Sequence, residues 1–145
     1  MEDTERLLIE RACERLVTQY CHFVDHGEAA RVAGLFTEDG VWSSPETTMA
    51  GHAAIRAGFQ RRQDNVALMS RHVCSNLLID VESVELAHGV VYLTLYRNRG
   101  EAGRRVSPSA APSIIGEYRD IFRRTDLGWR FARRDISVSF AVAEH

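Results

Sequence analysis

The first third of the chain repeats apolar residues with a helical period. Between residues 4 and 26, apolar side chains recur every three to four positions, and charged residues gather mostly on the other side. This pattern predicts an amphipathic helix. Thr4 can cap its first turn, and Gly27 can end it.

Two shorter helices are predicted beyond the first. One runs from Glu28 to Phe36, and the other begins at Gly51 and turns Phe59 inward. Between them, the segment TEDG (37–40) has the composition of a turn, and VWSS (41–44) predicts a brief strand.

After about residue 68 the apolar period changes from 3.6 to 2, which predicts β-strands joined as an antiparallel meander. A tight hairpin at residues 126–128 joins the last two strands. Residues 99–113, rich in Gly, Ser and Pro, form a long loop of the kind that is often mobile or functional, such as a lid. The predicted strands span residues 69–80, 89–98, 113–124 and 128–140.

This order of elements predicts an α+β fold. Three N-terminal helices would pack on a curved, mainly antiparallel sheet and form a cone-shaped α+β barrel that encloses a pocket for a small molecule. The length of 145 residues suits a single domain, residues 1–145, without repeats or a linker.

Composition narrows the function classes. The formal net charge is -2, without the basic face expected of a nucleic-acid binder. We find no run of ~20 apolar residues for a membrane span, and no basic and apolar leader typical of a signal peptide. A cytoplasmic location is therefore expected.

Two residue types limit the chemistry. All eighteen basic residues are arginine, which excludes a Schiff-base lysine, a pyridoxal-phosphate enzyme and a Walker A loop. The cysteines are Cys13, Cys21 and Cys74. Cys13 and Cys21 stand eight apart on one helix, ~12 Å along its axis, which is too far for a disulfide. All three are interpreted as small buried hydrophobic residues.

The order of four segments resembles a known family. They are YCHFVDHGEAARVAGLFTEDGVW (20–42), GHAAIRAGF (51–59), RHVCSN (71–76) and GEYRDIFRRTDLGWRFARR (116–134). Over about residues 5–138 the chain is similar to the SnoaL-like branch of the nuclear transport factor 2-like superfamily. The resemblance is specific for the fold and much less so for function, because the superfamily holds enzymes, polyketide cyclases, dioxygenase subunits and non-catalytic binders.

The resemblance implies three catalytic residues. Asp25 and His72 match an Asp–His pair like those that abstract a proton in scytalone dehydratase, bile-acid 7α-dehydratase and hexachlorocyclohexane dehydrochlorinase. Tyr20 matches the active-site tyrosine of the bile-acid dehydratase and resembles the oxyanion-binding tyrosine of ketosteroid isomerase. Ser44 stands where ketosteroid isomerase carries its base, and since a serine cannot do that work unaided, the steroid-isomerase mechanism is not implied.

The residues support the pair independently but leave alternatives open. An imidazole of pKa ~6.5 suits proton abstraction, and a carboxylate partner fixes its tautomer. Asp25 could instead be a solvated turn residue, His72 a structural strand histidine and Tyr20 a core tyrosine. Tyr20 and Asp25 lie about 140° apart on an ideal helix, so they converge only if the helix end unwinds or tilts.

The predicted pocket wall follows from alternation along the strands. His72, Cys74 and Asn76 share one face, opposite Val73, Ser75 and Leu77. Asn76 is expected to tether a neighbouring strand rather than the ligand. Gly116, Tyr118 and Asp120 also share a face, with Asp120 expected to pair with an arginine such as Arg133. The proposed pocket residues are Trp42, Ser44, Phe59, Cys74, Asn76 and Tyr118.

No metal or cofactor is expected. His22 and His26 have the i, i+4 spacing of a metal pair, but His22 lies toward the polar side and a third ligand is not evident. The leading hypothesis is a cofactor-free lyase or isomerase acting on a small hydrophobic substrate. The alternatives are a non-catalytic ligand-binding or assembly module and a polyketide-type cyclase.

A homodimer or higher homo-oligomer is also expected. The outer face of the sheet is predicted to be partly apolar, and an exposed apolar sheet often marks a partner surface. The residues assigned to this outer face are Val73, Leu77, Ile79, Val91, Leu93 and Leu95.

Overall fold

The helices lie where the apolar period predicts them. The computed structural model describes residues 1–108 and 111–142. Helix α1 spans Asp3–Asp25, a 3₁₀ helix spans Ala29–Leu35, and helix α2 spans His52–Asp64. Gly27, with φ of +80°, terminates α1 as predicted. The predicted Thr4 cap is wrong, because the helix begins at Asp3 after Glu2, whose side chain makes no capping hydrogen bond.

Six strands form one curved sheet in the order β2-β1-β6-β5-β4-β3, which does not close into a barrel. The last four strands are the predicted antiparallel meander, while β1 runs parallel to β6. With the helices packed on this sheet, the predicted α+β architecture is confirmed. The strands are β1 (Phe36–Ser43), β2 (Thr48–Ala50), β3 (Leu68–Val81), β4 (Leu86–Arg99), β5 (Ile114–Thr125) and β6 (Gly128–Ala141).

The N-terminal edge of the sheet differs from the prediction. Residues 37–40 belong to β1 and not to a turn, because β1 gains backbone partners on β6 and on the short strand β2. The register of β1 against β6 shifts between Phe36 and Val41, so an irregular stretch accommodates the polar, glycine-containing segment. A short strand such as β2 carries almost no periodic signal.

A bulge in β3 reverses the predicted alternation. The register shifts between Ser75 and Leu78, and Asn76 has a φ of +52°, a left-handed conformation that asparagine tolerates better than most residues. Asn76 is therefore exposed, and Leu77 turns inward beside the core. The placement of Asn76 in the pocket wall is corrected accordingly.

The structure also places most of the residues predicted for the outer face of the sheet on its inner face. Val91, Leu93 and Leu95 are buried in the core, and Leu77 and Ile79 pack against it, so the predicted outer face is wrong except for Val73. The outer apolar residues are instead Val73, Leu78, Tyr92, Tyr96, Ile115 and Phe140.

The loop after β4 folds back on the sheet. The guanidinium of Arg104 donates to the backbone carbonyls of Ala67 (3.2 Å) and Asn98 (2.5 Å), and the Gly100 amide donates to Ala67 O (3.0 Å). Ser109 and Ala110, within the predicted loop 99–113, lie outside the described residues.

Candidate active site

Asp25 and His72 meet where the end of α1 packs against β3. His72 Nδ1 lies 2.6 Å from Asp25 Oδ1, and the backbone N–H of His72 donates to Asp25 Oδ2 at 2.7 Å. One carboxylate thus binds both the ring and the main chain of the same residue. Since an ionised carboxylate only accepts hydrogen bonds, Nδ1 carries the proton and Nε2 of the neutral ring is left as an acceptor.

The Asp25 carboxylate has further donors around it. Ser70 Oγ donates to Asp25 Oδ1 at 2.8 Å, and Arg62 Nη2 donates to Ser70 Oγ at 3.0 Å. Ser70 is buried, and only 5% of the Asp25 side chain is exposed. Burial alone would raise the pKa of Asp25, but the hydrogen bonds and charge of His72 and the bond from Ser70 lower it below its ordinary value of 3.8. Asp25 is therefore ionised at neutral pH.

Tyr20 approaches the same histidine from another side. Its ring stands edge-on to His72, with ring centroids 6.2 Å apart, although α1 stays helical through Asp25. Asp25 and Tyr20 therefore both lie beside His72, although the end of α1 does not unwind. The Tyr20 hydroxyl accepts a hydrogen bond from Trp42 Nε1 at 3.0 Å. Burial raises the pKa of Tyr20 to about 12 against the opposing charge of Arg134, so the hydroxyl stays protonated and can donate.

Aromatic rings predicted for the pocket wall surround Tyr20. Phe59 and Tyr118 pack edge-to-face on its ring at centroid distances of 5.7 Å each, and Trp42 packs edge-on to Phe59 at 5.8 Å. Phe131 completes the cluster at 6.3 Å. Tyr20, Phe59, Tyr118 and Phe131 are buried. These residues are thus brought together, but as a packed part of the core.

Arg134 is the residue that the sequence analysis missed. It is fully buried, and its Nε and Nη2 donate to Asp120 Oδ1 (2.8 Å) and Oδ2 (3.0 Å). Its guanidinium lies over Tyr118 at 3.6 Å and over Tyr20 at 4.4 Å. Burial would lower the pKa of Arg134, but the Asp120 charge raises it above its usual range, so the guanidinium remains charged. Its third nitrogen, Nη1, is buried and has no hydrogen-bond partner among the described residues.

Asp120 was predicted to pair with an arginine such as Arg133, and the structure corrects the residue to Arg134. Arg133 bonds Asp135 at 2.8 Å instead. Alternation from Trp129 and Phe131 would turn Arg133 inward, but a register shift opposite Ile121 and Phe122 inserts one residue and turns Arg134 inward. The sequence did carry one signal for an inward-facing arginine. Asp120 lies on the inward face of β5, and a buried carboxylate needs a buried cation as its partner.

Two other predicted pocket residues, Ser44 and Cys74, make their contacts outside the aromatic cluster. Ser44 Oγ accepts hydrogen bonds from the amides of Glu46 (3.3 Å) and Thr47 (3.2 Å) and so closes the turn between β1 and β2. Cys74 is on the face of His72 as predicted, and its sulfur lies 3.5 Å from the sulfur of Cys21.

A cleft of about 320 Å³ opens beside the carboxylate. It lies between the ends of α1 and α2, the start of β3 and the loop after β4, and its lining includes Asp25 and three arginines, Arg62, Arg71 and Arg104. Its lining does not include His72 or the aromatic cluster around Tyr20. The cleft next to the Asp–His pair is thus rimmed by charge, unlike the apolar pocket that was predicted.

One family model matches most of this chain. The family model described as the SnoaL-like domain matches residues 5–135. The chain belongs to the SnoaL-like domain family. A search of curated proteins finds no match to this SnoaL-like protein.

Solved structures share the fold of this SnoaL-like protein. A scytalone dehydratase-like protein from Novosphingobium aromaticivorans has a TM-score of 0.83 at 22% identity, over 99% of this chain and 93% of that one. A nuclear transport factor 2-like protein with a cystatin-like fold from the same organism has a TM-score of 0.78 at 26% identity, over 95% and 87%. Hexachlorocyclohexane dehydrochlorinase LinA-type3 from Novosphingobium barchaimii has a TM-score of 0.79 at 18% identity, over 97% and 93%.

Within residues 1–108 and 111–142, no three His, Cys, Asp or Glu side chains come together as a metal site requires. Among the same residues, no helix combines the length and the apolar character needed to cross a membrane.

Proposed function

We propose that this SnoaL-like protein is a cofactor-free lyase or isomerase that acts on a small hydrophobic substrate through the Asp25–His72 pair. The observation that carries the proposal is the double contact of one buried carboxylate with both the ring and the backbone of His72. The names of the structural neighbours, a scytalone dehydratase-like protein and a dehydrochlorinase, support an elimination reaction.

The proposed step begins at Nε2 of His72. This atom takes a proton from a carbon next to an activating group, and the electron pair of the broken C–H bond forms a carbon–carbon double bond or an enolate. In the lyase case a neighbouring hydroxyl or halide leaves with the electron pair of its broken bond to carbon, and in the isomerase case the His72 imidazolium returns the proton to another carbon of the enolate. Such steps are redox-neutral, so they need no cofactor. A positioned general base typically contributes 10²–10⁴-fold.

Asp25 and Tyr20 serve different parts of this step. Asp25 holds Nδ1 protonated, which keeps Nε2 free, and its charge stabilises the imidazolium that forms. The Tyr20 hydroxyl accepts from Trp42 and keeps its own proton to donate to a developing oxyanion or to the leaving group. The buried charge of Arg134, 4.4 Å from the Tyr20 ring centroid, favours negative charge at that position.

Substrate access requires movement. Only 10% of the His72 side chain is exposed, and the rings of Tyr20, Phe59 and Tyr118 are buried. A substrate therefore reaches Nε2 when neighbouring side chains rotate.

The test is a spectroscopic screen for elimination, with a matched histidine control. Cyclic β-hydroxy ketones and chlorinated cyclohexanes serve as probes, since loss of water or chloride is detected directly. His72→Gln should lower turnover of any active probe by about 10²–10⁴-fold. His88→Gln, at a histidine paired on the surface with Glu82, should not. Turnover that survives His72→Gln would refute the proposed base.

A non-catalytic ligand-binding or assembly module is the second candidate, favoured by the tight packing of the aromatic cluster. Binding and turnover of the same probes separate the two. An enzyme turns over a probe that it binds and loses that turnover in His72→Gln. A binder shows saturable binding of a probe, followed by NMR shifts of the protein, without turning it over.

A further inference from the structure

Two cysteine sulfurs meet at the packing interface of α1 and β3. Cys21 Sγ lies 3.5 Å from Cys74 Sγ. Cys21 directly follows Tyr20 on α1, and Cys74 lies two residues beyond His72 on the same inward face of β3. The pair therefore bridges the two elements that carry the Asp–His pair.

We propose that Cys21 and Cys74 form a redox modification site, which a peroxide converts into a disulfide that clamps α1 to β3 and displaces the Asp25–His72 pair. A disulfide has an S–S length of about 2.05 Å, so the two sulfurs must approach by roughly 1.5 Å. The effect on catalysis rests on the proposed function, whereas formation of the bond does not.

The surroundings of the two sulfurs assign them different roles. Cys74 is partly exposed, and its hydrogen bond with Cys21, together with the charge of Arg134, lowers the pKa of its thiol despite burial. Cys21 is buried, and the same hydrogen bond and burial raise the pKa of its thiol. The thiolate is the reactive form of cysteine, so Cys74 is the residue that meets the oxidant.

The reaction balances with one peroxide. The Cys74 thiolate attacks one oxygen of hydrogen peroxide, the O–O bond breaks, and a sulfenic acid and one water result after proton transfer. The Cys21 sulfur then attacks the Cys74 sulfur, the S–O bond breaks, and the departing hydroxide takes the Cys21 proton to become the second water. Two thiols are oxidised and one peroxide is reduced. A dithiol reverses the bond by thiol–disulfide exchange.

A disulfide at this position would alter the nearby site. Asp25 follows Cys21 by four residues, about one turn of α1, so a shift at Cys21 is passed to the carboxylate. Misplacement of a catalytic group by about 1 Å can cost ~10²-fold in rate.

The third cysteine is an internal control. Cys13 is fully buried, and burial, followed by the charge of Asp120, raises the pKa of its thiol to about 12. It should resist peroxide. Cys13→Ala is therefore the matched variant for Cys21→Ala and Cys74→Ala.

The first experiment counts and locates the thiols without any substrate. The whole protein is treated with hydrogen peroxide, unfolded in iodoacetamide and analysed by intact mass and peptide mapping. We expect the loss of two hydrogens, a cross-link between the peptides that hold Cys21 and Cys74, and an alkylated Cys13, with dithiothreitol restoring three alkylated thiols. Cys13→Ala should still form the cross-link. Oxidation of Cys74 to sulfinic acid without a cross-link, or three unreacted thiols, would overturn the proposal.

The second experiment reads the effect on the Asp–His pair. NMR signals of the His72 ring should shift on oxidation and return with dithiothreitol, and they should not respond in Cys74→Ala, which lacks the sulfur that meets the oxidant. Should Cys74→Ala fold poorly, Cys74→Ser replaces it. An unchanged His72 signal in fully cross-linked protein would refute the displacement. If the protein forms the disulfide but its reduced form turns over no probe, only the proposed function is refuted.

Discussion

His72 and Asp25 are joined twice, by Nδ1 at 2.6 Å from one carboxylate oxygen and by the backbone amide at 2.7 Å from the other. The second bond ties the side chain at the end of α1 to the main chain of β3. The ring orientation is thus set by the packing of a helix on a strand as well as by a side-chain pair. This relationship gives Asp25 a structural role, and its proposed catalytic role has a separate test.

Asp25 should make the folded state sensitive to acid. Its pKa in the folded protein lies below its ordinary 3.8, so its ionised form stabilises the fold above that value. This stabilisation is lost as the pH falls through the lower folded pKa. Urea unfolding from about pH 6 to about pH 2 should therefore show a fall in the free energy of unfolding that is smaller in Asp25→Asn. Asp126→Asn, in an exposed hairpin turn, should keep the wild-type dependence. Equal pH dependence in Asp25→Asn and wild type would contradict the hydrogen-bonded carboxylate.

Ser70→Ala should weaken the support of that carboxylate. The substitution removes one donor from Asp25 and the acceptor of Arg62, in a buried place where lost partners cost about 1–3 kcal/mol. It should also raise the pKa of Asp25, because the Ser70 hydrogen bond is one of the contributions that lower it. Chemical denaturation and a carboxyl NMR titration measure the two effects. Ser75→Ala, on the outward face of the same strand, should change stability by less than about 0.5 kcal/mol. The chain of hydrogen bonds from Arg62 through Ser70 to Asp25 is refuted if the two serine variants have the same stability and the same Asp25 pKa.

Arg134→Met should be among the most destabilising single changes in the chain. It leaves Asp120 buried without its cation, which typically costs about 3–5 kcal/mol. The adjacent Arg133→Met breaks only a pair whose side chains are 42% and 41% exposed, so the loss should stay within about 1 kcal/mol. Adding Asp120→Leu to Arg134→Met should recover part of the loss. Similar unfolding free energies for the two arginine variants would show that the buried pair does not form.

The outer face of the sheet predicts a homo-oligomer. One cross-strand row runs through Val73, Thr94, Ile115 and Phe140, and its apolar members are 50%, 37% and 70% exposed. Phe140→Asp should therefore shift light-scattering mass from a dimer or larger assembly toward a monomer. Leu127→Asp, at an exposed hairpin turn outside this row, should not. A wild-type protein that remains monomeric at all concentrations would disprove this surface as a self-association face.

The sequence by itself determined the elements that depend on local periodicity. The 3.6-residue period of α1 and the alternation of the last four strands are properties of neighbouring residues, so their positions could be predicted within a few residues. The motif order around Asp25 and His72 indicated the family. The face shared by His72 and Cys74 followed from strand geometry, because the pleat is regular over so short a distance.

Only the tertiary structure decided what depends on non-local pairing. Bulges at Asn76 and beside Ala132 change which residues face inward, and they arise from the register between strands that the chain does not specify locally. One of these shifts buries Arg134 instead of Arg133. The Cys21–Cys74 contact joins residues that are 53 apart in sequence. The Ser70 hydroxyl accepts from Arg62 on α2 and donates to Asp25 on α1, which is 45 residues away. Local patterns indicate which way a side chain faces along a regular helix or strand. The packing of α1 against β3 determines which side chains contact one another at the site.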